Sequence, residues 1–254
     1  MKFGAIIIGD EILSGKRQDK HMAKLIEALS ARGLELAWSH YLGDEPPLII
    51  ATLQHAMTLP DAVFSFGGIG ATPDDHTRQC AADAAKVGLA LHADAEGEIR
   101  ARFKDDPKGV TPQRLAMGEF PLGSSIIPNP FNRIPGFHFK NIYFVPGFPQ
   151  MAWPMVDWVL DTHYPHLFDA NRIGEAAIIV REAGESLLID LMKAVQGKFS
   201  ALKIFSLPRM QPERFIELGA RGDPQQVAVA LEELKQGVTA MGFPWTDAPK
   251  FGAK

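Results

Sequence analysis

Short apolar runs alternate with helical patterns through the first third of the chain, and that alternation constrains the fold more than any other feature. Residues 5–8 (Ala-Ile-Ile-Ile) are apolar and mostly β-branched, and residues 34–41 and 62–66 read as two further strands. Such runs suit the buried strands of a parallel sheet. Between the first two, Met22, Leu25, Ile26 and Leu29 fall at helical spacing within residues 19–32, and Gly33 supplies a stop. Pro46-Pro47 open a second helix that runs to about residue 59. The order β-α-β-α-β-α predicts parallel strands joined by right-handed crossovers.

After the third strand comes Gly67-Gly68-Ile69-Gly70-Ala71-Thr72, then Thr72-Pro73-Asp74-Asp75, which has the signature of a helix start with Thr72 as N-cap. That helix is expected to end near residue 87. Helices are expected over 94–103 and 111–118, strands over 125–127 and 141–145, a loop at 132–137, and a helix from the Val145–Pro149 turn to about residue 161. Residues 162–170 read as a linker. Beyond it, strands at 176–181, 202–207 and 214–218, with helices at 184–196 and 224–236, form a small unit of their own. Asp223 is its clearest N-cap, with Pro224 at the first helical position. The tail after Pro244 reads as loose. The domains are expected at 1–168 and 169–254.

With 254 residues, 46% hydrophobic and 22% charged, the composition is that of ordinary globular protein. A net charge of -4 lacks the basic excess of a nucleic-acid binder. A single cysteine, Cys80, rules out a disulfide within the chain and reads as a buried thiol in a reducing compartment. No run approaches the ~20 apolar residues of a membrane span. The expectation is a cytoplasmic protein with no membrane partner.

In an open parallel sheet, ligands bind beyond the carboxyl ends of the strands. Two unusual loops fall there, Gly9-Asp10-Glu11 after the first strand and the glycine-rich turn after the third. Glycines let backbone N–H groups approach an anion. Asp74 and Asp75 beside such a turn would repel a phosphate unless a divalent cation bridges them; they equally suit a helix-dipole role. The turn lacks the endings of a P-loop and the spacing of a dinucleotide fingerprint. Arg78 reads either as a phosphate ligand or as a surface charge, and His76 as an exposed histidine. Phe64, Phe66, Trp153 and Trp158 read as core. Gly219-Ala220-Arg221-Gly222 matches the G-x-x-G of KH loops but follows a strand, so it reads as a turn and not as an RNA site.

Taken together, Gly9-Asp10-Glu11-Ile12-Leu13, Gly15 and the stretch from Gly67 to Thr77 resemble the molybdenum-cofactor-biosynthesis (MoCF) domain, in particular the N-terminal part of CinA competence/damage-inducible proteins. They are also similar to the related domain of eukaryotic FAD synthases. The segments 132–137 and 145–149 resemble further blocks of that subfamily, and the C-terminal unit resembles the KH-like domain of CinA proteins. The resemblance implies a three-layer α/β/α sandwich with a mainly parallel sheet, followed by a small KH-like α+β domain. It also implies a small-molecule pterin phosphate or nucleotide ligand, and a homo-oligomer.

Two relatives of this type are associated with pyrophosphate cleavage, of ADP-ribose and of FAD. The expected function is therefore a metal-dependent nucleotide pyrophosphatase using Mg²⁺, with Mn²⁺ or Co²⁺ as substitutes. Asp74, Asp75 and Glu11 would be catalytic, and Asp10, Asp74 and Asp75 would hold the metal. Gly67, Gly68, Gly70, Thr72, Thr77, Arg78, His21 and Arg133 would bind the ligand. The alternatives are a non-catalytic molybdopterin or nucleotide binder, a molybdopterin adenylyltransferase, and an interaction module acting through the C-terminal unit. Relatives usually carry proline where Ala71 stands, asparagine near His21, and Gly-Thr in place of Asn132-Arg133. The sequence given stops at Lys254 without the amidase domain of many CinA proteins, so that activity is not expected of it.

Overall fold

The computed structural model describes residues 1–168, 174–210 and 213–249, which fall into two compact units, Met1–Phe168 and Asp169–Lys254. In the first, β1 (Phe3–Ile8) lies between β2 (Leu36–Leu42) and β3 (Ala62–Phe66), parallel to both. β3 pairs in parallel with β8 (Ile142–Val145), which pairs antiparallel with β7 (Gly136–Phe139), and β7 with β6 (Ser125–Ile127). The sheet order is β2-β1-β3-β8-β7-β6. A separate antiparallel pair joins β4 (Leu89–Leu91) to β5 (Glu119–Pro121).

Side chains alternate across the pleat, so the central strands are apolar on both faces. Phe3, Ala5, Ile7, Phe64, Phe66 and Val145 bury against α2 (His21–Ser30) and α7 (Pro149–His163), through Leu25, Leu29, Met155 and Val159. Ile6, Ile8, Val63, Ile142 and Phe144 bury on the opposite face, with α3 (Pro46–Ala56), α4 (Thr77–Ala85) and α5 (Ala93–Arg102). The result is the expected three-layer α/β/α sandwich with a mainly parallel sheet. Cys80 is buried in the second of these layers, and Trp153 and Trp158 pack against the first.

The second unit runs β9 (Gly174–Val180), α8 (Glu185–Lys198), β10 (Lys203–Arg209), β11 (Phe215–Gly222), α9 (Pro224–Ala240), β12 (Trp245–Asp247). Its antiparallel sheet has the order β10-β11-β9-β12, and both helices bury Leu188, Val195, Leu234 and Val238 against Ile178, Val180, Leu218 and Ala220. The Asp223 side chain accepts from the N–H groups of Gln225 and Gln226, capping α9 as expected.

Several expectations need correcting. Asp10 and Glu11 do not sit in a loop but in a one-turn helix, α1 (Asp10–Leu13), too short to show a period. Residues 162–163 still belong to α7, and Pro165–Leu167 form a 3₁₀ turn, so the expected linker is largely structured. Its remainder at 169–170 lies outside the described residues. The tail is not loose over 245–247, where β12 pairs with β9; residues 250–254 lie outside the described set. Gly219–Gly222 is not a turn: the four residues continue β11, and a Cβ on Gly219 would meet Phe205 at 2.5 Å and the Ala176 carbonyl at 2.6 Å. Glycine there lets the sheet pack closely.

Candidate functional site

Strands β1, β3 and β8 are parallel neighbours, so the loops after all three emerge on one edge of the sheet. The chain leaves β1 toward β2 on one side and returns as β3 on the other, which makes this edge a topological switch point. A cleft of about 400 Å³ opens there. Its walls include the three connections: Gly9 and Glu11 after β1, residues 67–72 with Asp74 and Asp75 after β3, and Pro146, Gly147 and Phe148 after β8.

The glycine-rich loop is shaped by its own backbone. Gly67 has φ 100° and its N–H donates to the Val145 carbonyl (3.0 Å). The Gly68 carbonyl accepts from the Thr77 N–H (2.9 Å), and the Gly70 carbonyl accepts from the Arg78 guanidinium (2.8 Å). A trans peptide is planar, so its C=O and the following N–H point in opposite directions. Holding these two carbonyls from within therefore turns the N–H groups of Ile69 and Ala71 the other way. The N–H groups of Gly68, Ile69, Gly70 and Ala71 take no acceptor among the described residues. Four successive backbone donors without an acceptor thus belong to residues on the cleft wall, the kind of arrangement that suits an anion.

Thr72 is not the N-cap expected. The Asp75 carboxylate accepts from the Thr72 N–H (2.8 Å) and hydroxyl (2.5 Å), which closes a local turn, and α4 begins only at Thr77. Short polar side chains often compete with a helix in this way. The Thr72 side chain, and then the backbone N–H of Asp74 itself, hold the exposed Asp74 carboxyl below the usual carboxylate range. Asp10 is not in the cleft: its carboxylate accepts from the Asp44 N–H (3.2 Å), while its own N–H donates to the Asp44 carboxylate (2.9 Å). Asp44 faces the cleft in its place. Burial, and then the charges of Asp10, Glu11 and Asp74, push the Asp44 carboxyl above its usual range against the Asp10 hydrogen bond. Among the described residues no group of three His, Cys, Asp or Glu side chains is placed to hold a metal ion, so Asp10, Asp74 and Asp75 do not form the expected cation site by themselves.

Three further expected ligands are placed elsewhere. Arg78 is 3% exposed and donates to the carbonyls of Gly70, Glu119 and Ala116, so it positions the loop and does not reach a phosphate. Arg133 forms a two-point pair with Glu98 (2.8 and 3.1 Å) outside the cleft. Thr77 is fully buried beneath Gly68. The structure adds Arg17, Asn129, Met117, Met151 and the exposed Phe148, which only tertiary folding brings to the cleft.

His21 is 5% exposed, stacks on Phe66, and donates its Nε2–H to the Gly147 carbonyl (3.1 Å). That fixes the tautomer and leaves Nδ1 buried without a partner. Burial lowers its pKa from the usual 6.5, against the Gly147 hydrogen bond and the charge of Asp19. Just below pH 6.5 the unfolded chain then binds a proton that the native chain does not, so stability is lost on acidification through that window. Urea unfolding followed from pH 7.5 to 5.5 should show this loss, with a shallower slope in His21→Gln. The slope should not vanish, because burial lowers the pKa of His138 as well. An unchanged slope in His21→Gln would show that His21 is not the group responsible.

An open, mainly parallel sheet with a glycine loop at its switch point defines the doubly wound class of ligand-binding α/β domains. A family model described as a probable molybdopterin binding domain matches residues 4–166, and the chain belongs to that family. A CinA-like protein of Sulfurihydrogenibium sp. is 30% identical over 161 residues, covering 61% of this chain and 40% of that protein. A CinA-like protein of Desulfovibrio desulfuricans is 28% identical over 246 residues, covering 91% of this chain and 54% of its own length. The chain spans about half the length of the curated relatives it matches, between 40% and 56% for these and two others. The crystal structure of CinA from Thermoplasma acidophilum, titled as of unknown function, superposes with a TM-score of 0.57 at 26% identity, covering 63% of this chain and 96% of that one. Among the described residues no helix is long and apolar enough to cross a membrane.

Proposed function

We propose that the first unit binds a phosphorylated pterin or a nucleotide in the cleft at the carboxyl ends of β1, β3 and β8. The observation that carries this reading is the run of four backbone N–H groups, Gly68 to Ala71, without an acceptor on the cleft wall. A phosphate there satisfies donors that otherwise rely on water. Phe148, 54% exposed on the same wall with Met117 and Met151 nearby, offers an apolar surface to a planar heterocycle. The family's description as molybdopterin-binding agrees with this ligand class.

Binding is tested by calorimetry with a phosphorylated pterin, AMP and ADP, with Mg²⁺ and with EDTA, and product separation on the same samples. Binding without turnover is expected, and no binding of any of them would sink the reading. Gly70→Ala should weaken binding at least tenfold, because its Cβ would lie 2.5 Å from the Asp75 Oδ2 that holds the Thr72 turn. The fold should survive, since the clash meets only the end of a side chain.

A second reading, hydrolysis of a nucleotide diphosphate, rests on Glu11, Asp44, Asp74 and Asp75 facing one cleft. A divalent cation would there take one or two of these carboxylates and complete its shell with phosphate oxygens. Cleavage that needs Mg²⁺ and disappears in Asp74→Asn would establish it over simple binding. Product formed only when pterin and ATP are both present would indicate an adenylyltransferase.

A further inference from the structure

A second cavity of about 450 Å³ adjoins the first, and the two share Glu11, Arg17, Gly147 and Phe148 as a common wall. Their chemistry differs. The first compartment carries four carboxylates, and Arg17 is the one basic side chain on its wall among the described residues. The second adds Lys20 and His21. His21 lines it while more than nine-tenths buried, and its Nδ1 is buried without a hydrogen-bond partner.

Arg17 is exposed, and among the described residues its guanidinium has no carboxylate within ion-pair distance despite the acids around it. Its backbone N–H donates to the Glu11 carbonyl (2.9 Å), which anchors it where α1 ends, at the boundary of the two cavities. A single phosphate in the N–H cradle has four backbone donors to set against the carboxylates nearby. A second phosphate attached to it would meet Glu11, Asp44 and Asp74 unless a positive charge stood at the boundary. A guanidinium fork matches phosphate oxygens at two points.

We propose that Arg17 is a specificity-determining residue that selects ligands with a second phosphate next to the one in the cradle, and that the second cavity receives what lies beyond it. This rests on the binding function proposed above. Arg17 touches the ligand and takes no part in closing the glycine loop, so its loss changes the preference and not the cradle.

The test is calorimetry of the full chain with AMP and with ADP, in wild type and in Arg17→Gln. Wild type should bind ADP at least tenfold tighter than AMP. Arg17→Gln should reduce that ratio below twofold through ADP alone, and in wild type the ratio should shrink as salt is raised. Arg17→Lys should retain an intermediate ratio, having charge but no fork. Equal affinity for AMP and ADP in wild type, or an equal loss of both in Arg17→Gln, would overturn the proposal. Binding of the phosphorylated pterin but of neither nucleotide would overturn it while leaving the binding function in place. Binding of none of them would overturn both.

Discussion

Replacing Gly67 by alanine is expected to lower the stability of the first unit by about 2–5 kcal/mol, combining backbone strain with a steric clash. Gly67 follows β3 directly and has φ 100°, a conformation that L side chains rarely adopt. A Cβ there would lie 2.4 Å from the Ile8 carbonyl oxygen, which is backbone of the neighbouring strand and cannot rotate away. The loop would have to shift away from β1, distorting the Gly67 N–H bond to Val145 on the other side and spoiling the cradle. Gly15→Ala separates the two causes. Gly15 also has positive φ, 73°, but its Cβ would meet nothing within 4 Å, so its cost should be only about 1 kcal/mol. Urea unfolding of both variants, with amide exchange read on β1 and β3, checks the prediction. A shift for Gly67→Ala no larger than for Gly15→Ala would mean that close approach to Ile8 does not constrain this loop.

The sequence made the central layer legible because the strands buried on both faces write themselves as unbroken apolar runs. The strand expected at 62–66 matches β3 to the residue, and the expected bounds of β1, α2 and α3 lie within a few. What failed was short or partnered at long range. β7 falls where the sequence predicts a loop, since four residues are too few to show a period, and only pairing with β6 and β8 makes them a strand. The start of α4 was misplaced because Thr72-Pro73-Asp74-Asp75 has cap chemistry, and the structure spends that chemistry on a turn four residues earlier. Two of the three connections that wall the cleft, those after β1 and β3, are legible as site segments, although the first holds a one-turn helix. Which of their side chains face the cleft is not. Asp44 takes the place of Asp10 through a pair of hydrogen bonds 34 residues apart, and Arg133 is drawn off by Glu98 at a separation of 35. No local pattern encodes either choice.

Arg78→Ala should cost about 3–5 kcal/mol, because it leaves three backbone carbonyls without their donor and opens a cavity where the side chain lay. Ligand affinity should fall with it. Arg78 is 3% exposed, and burial lowers its pKa against the charges of Glu119 and Asp75. It donates to the carbonyls of Ala116, Glu119 (3.3 Å) and Gly70 (2.8 Å). Each carbonyl left unsatisfied costs about 1–3 kcal/mol, less where water enters the space. Arg78→Met keeps most of the volume and removes every donor, so it should lose nearly as much stability, while Arg78→Lys should recover part of it. The informative quantity is affinity compared at equal stability. If Arg78 only fills space, Arg78→Met should bind a phosphorylated pterin or nucleotide like wild type wherever it is folded. If Arg78 fixes the Gly70 carbonyl, and through the planar peptide the Ala71 N–H, Arg78→Met should bind at least tenfold more weakly in its fully folded state, and Arg78→Lys should fall between. Wild-type affinity in folded Arg78→Met would show that the cradle keeps its orientation without the arginine, and the buried guanidinium would then be a matter of stability alone.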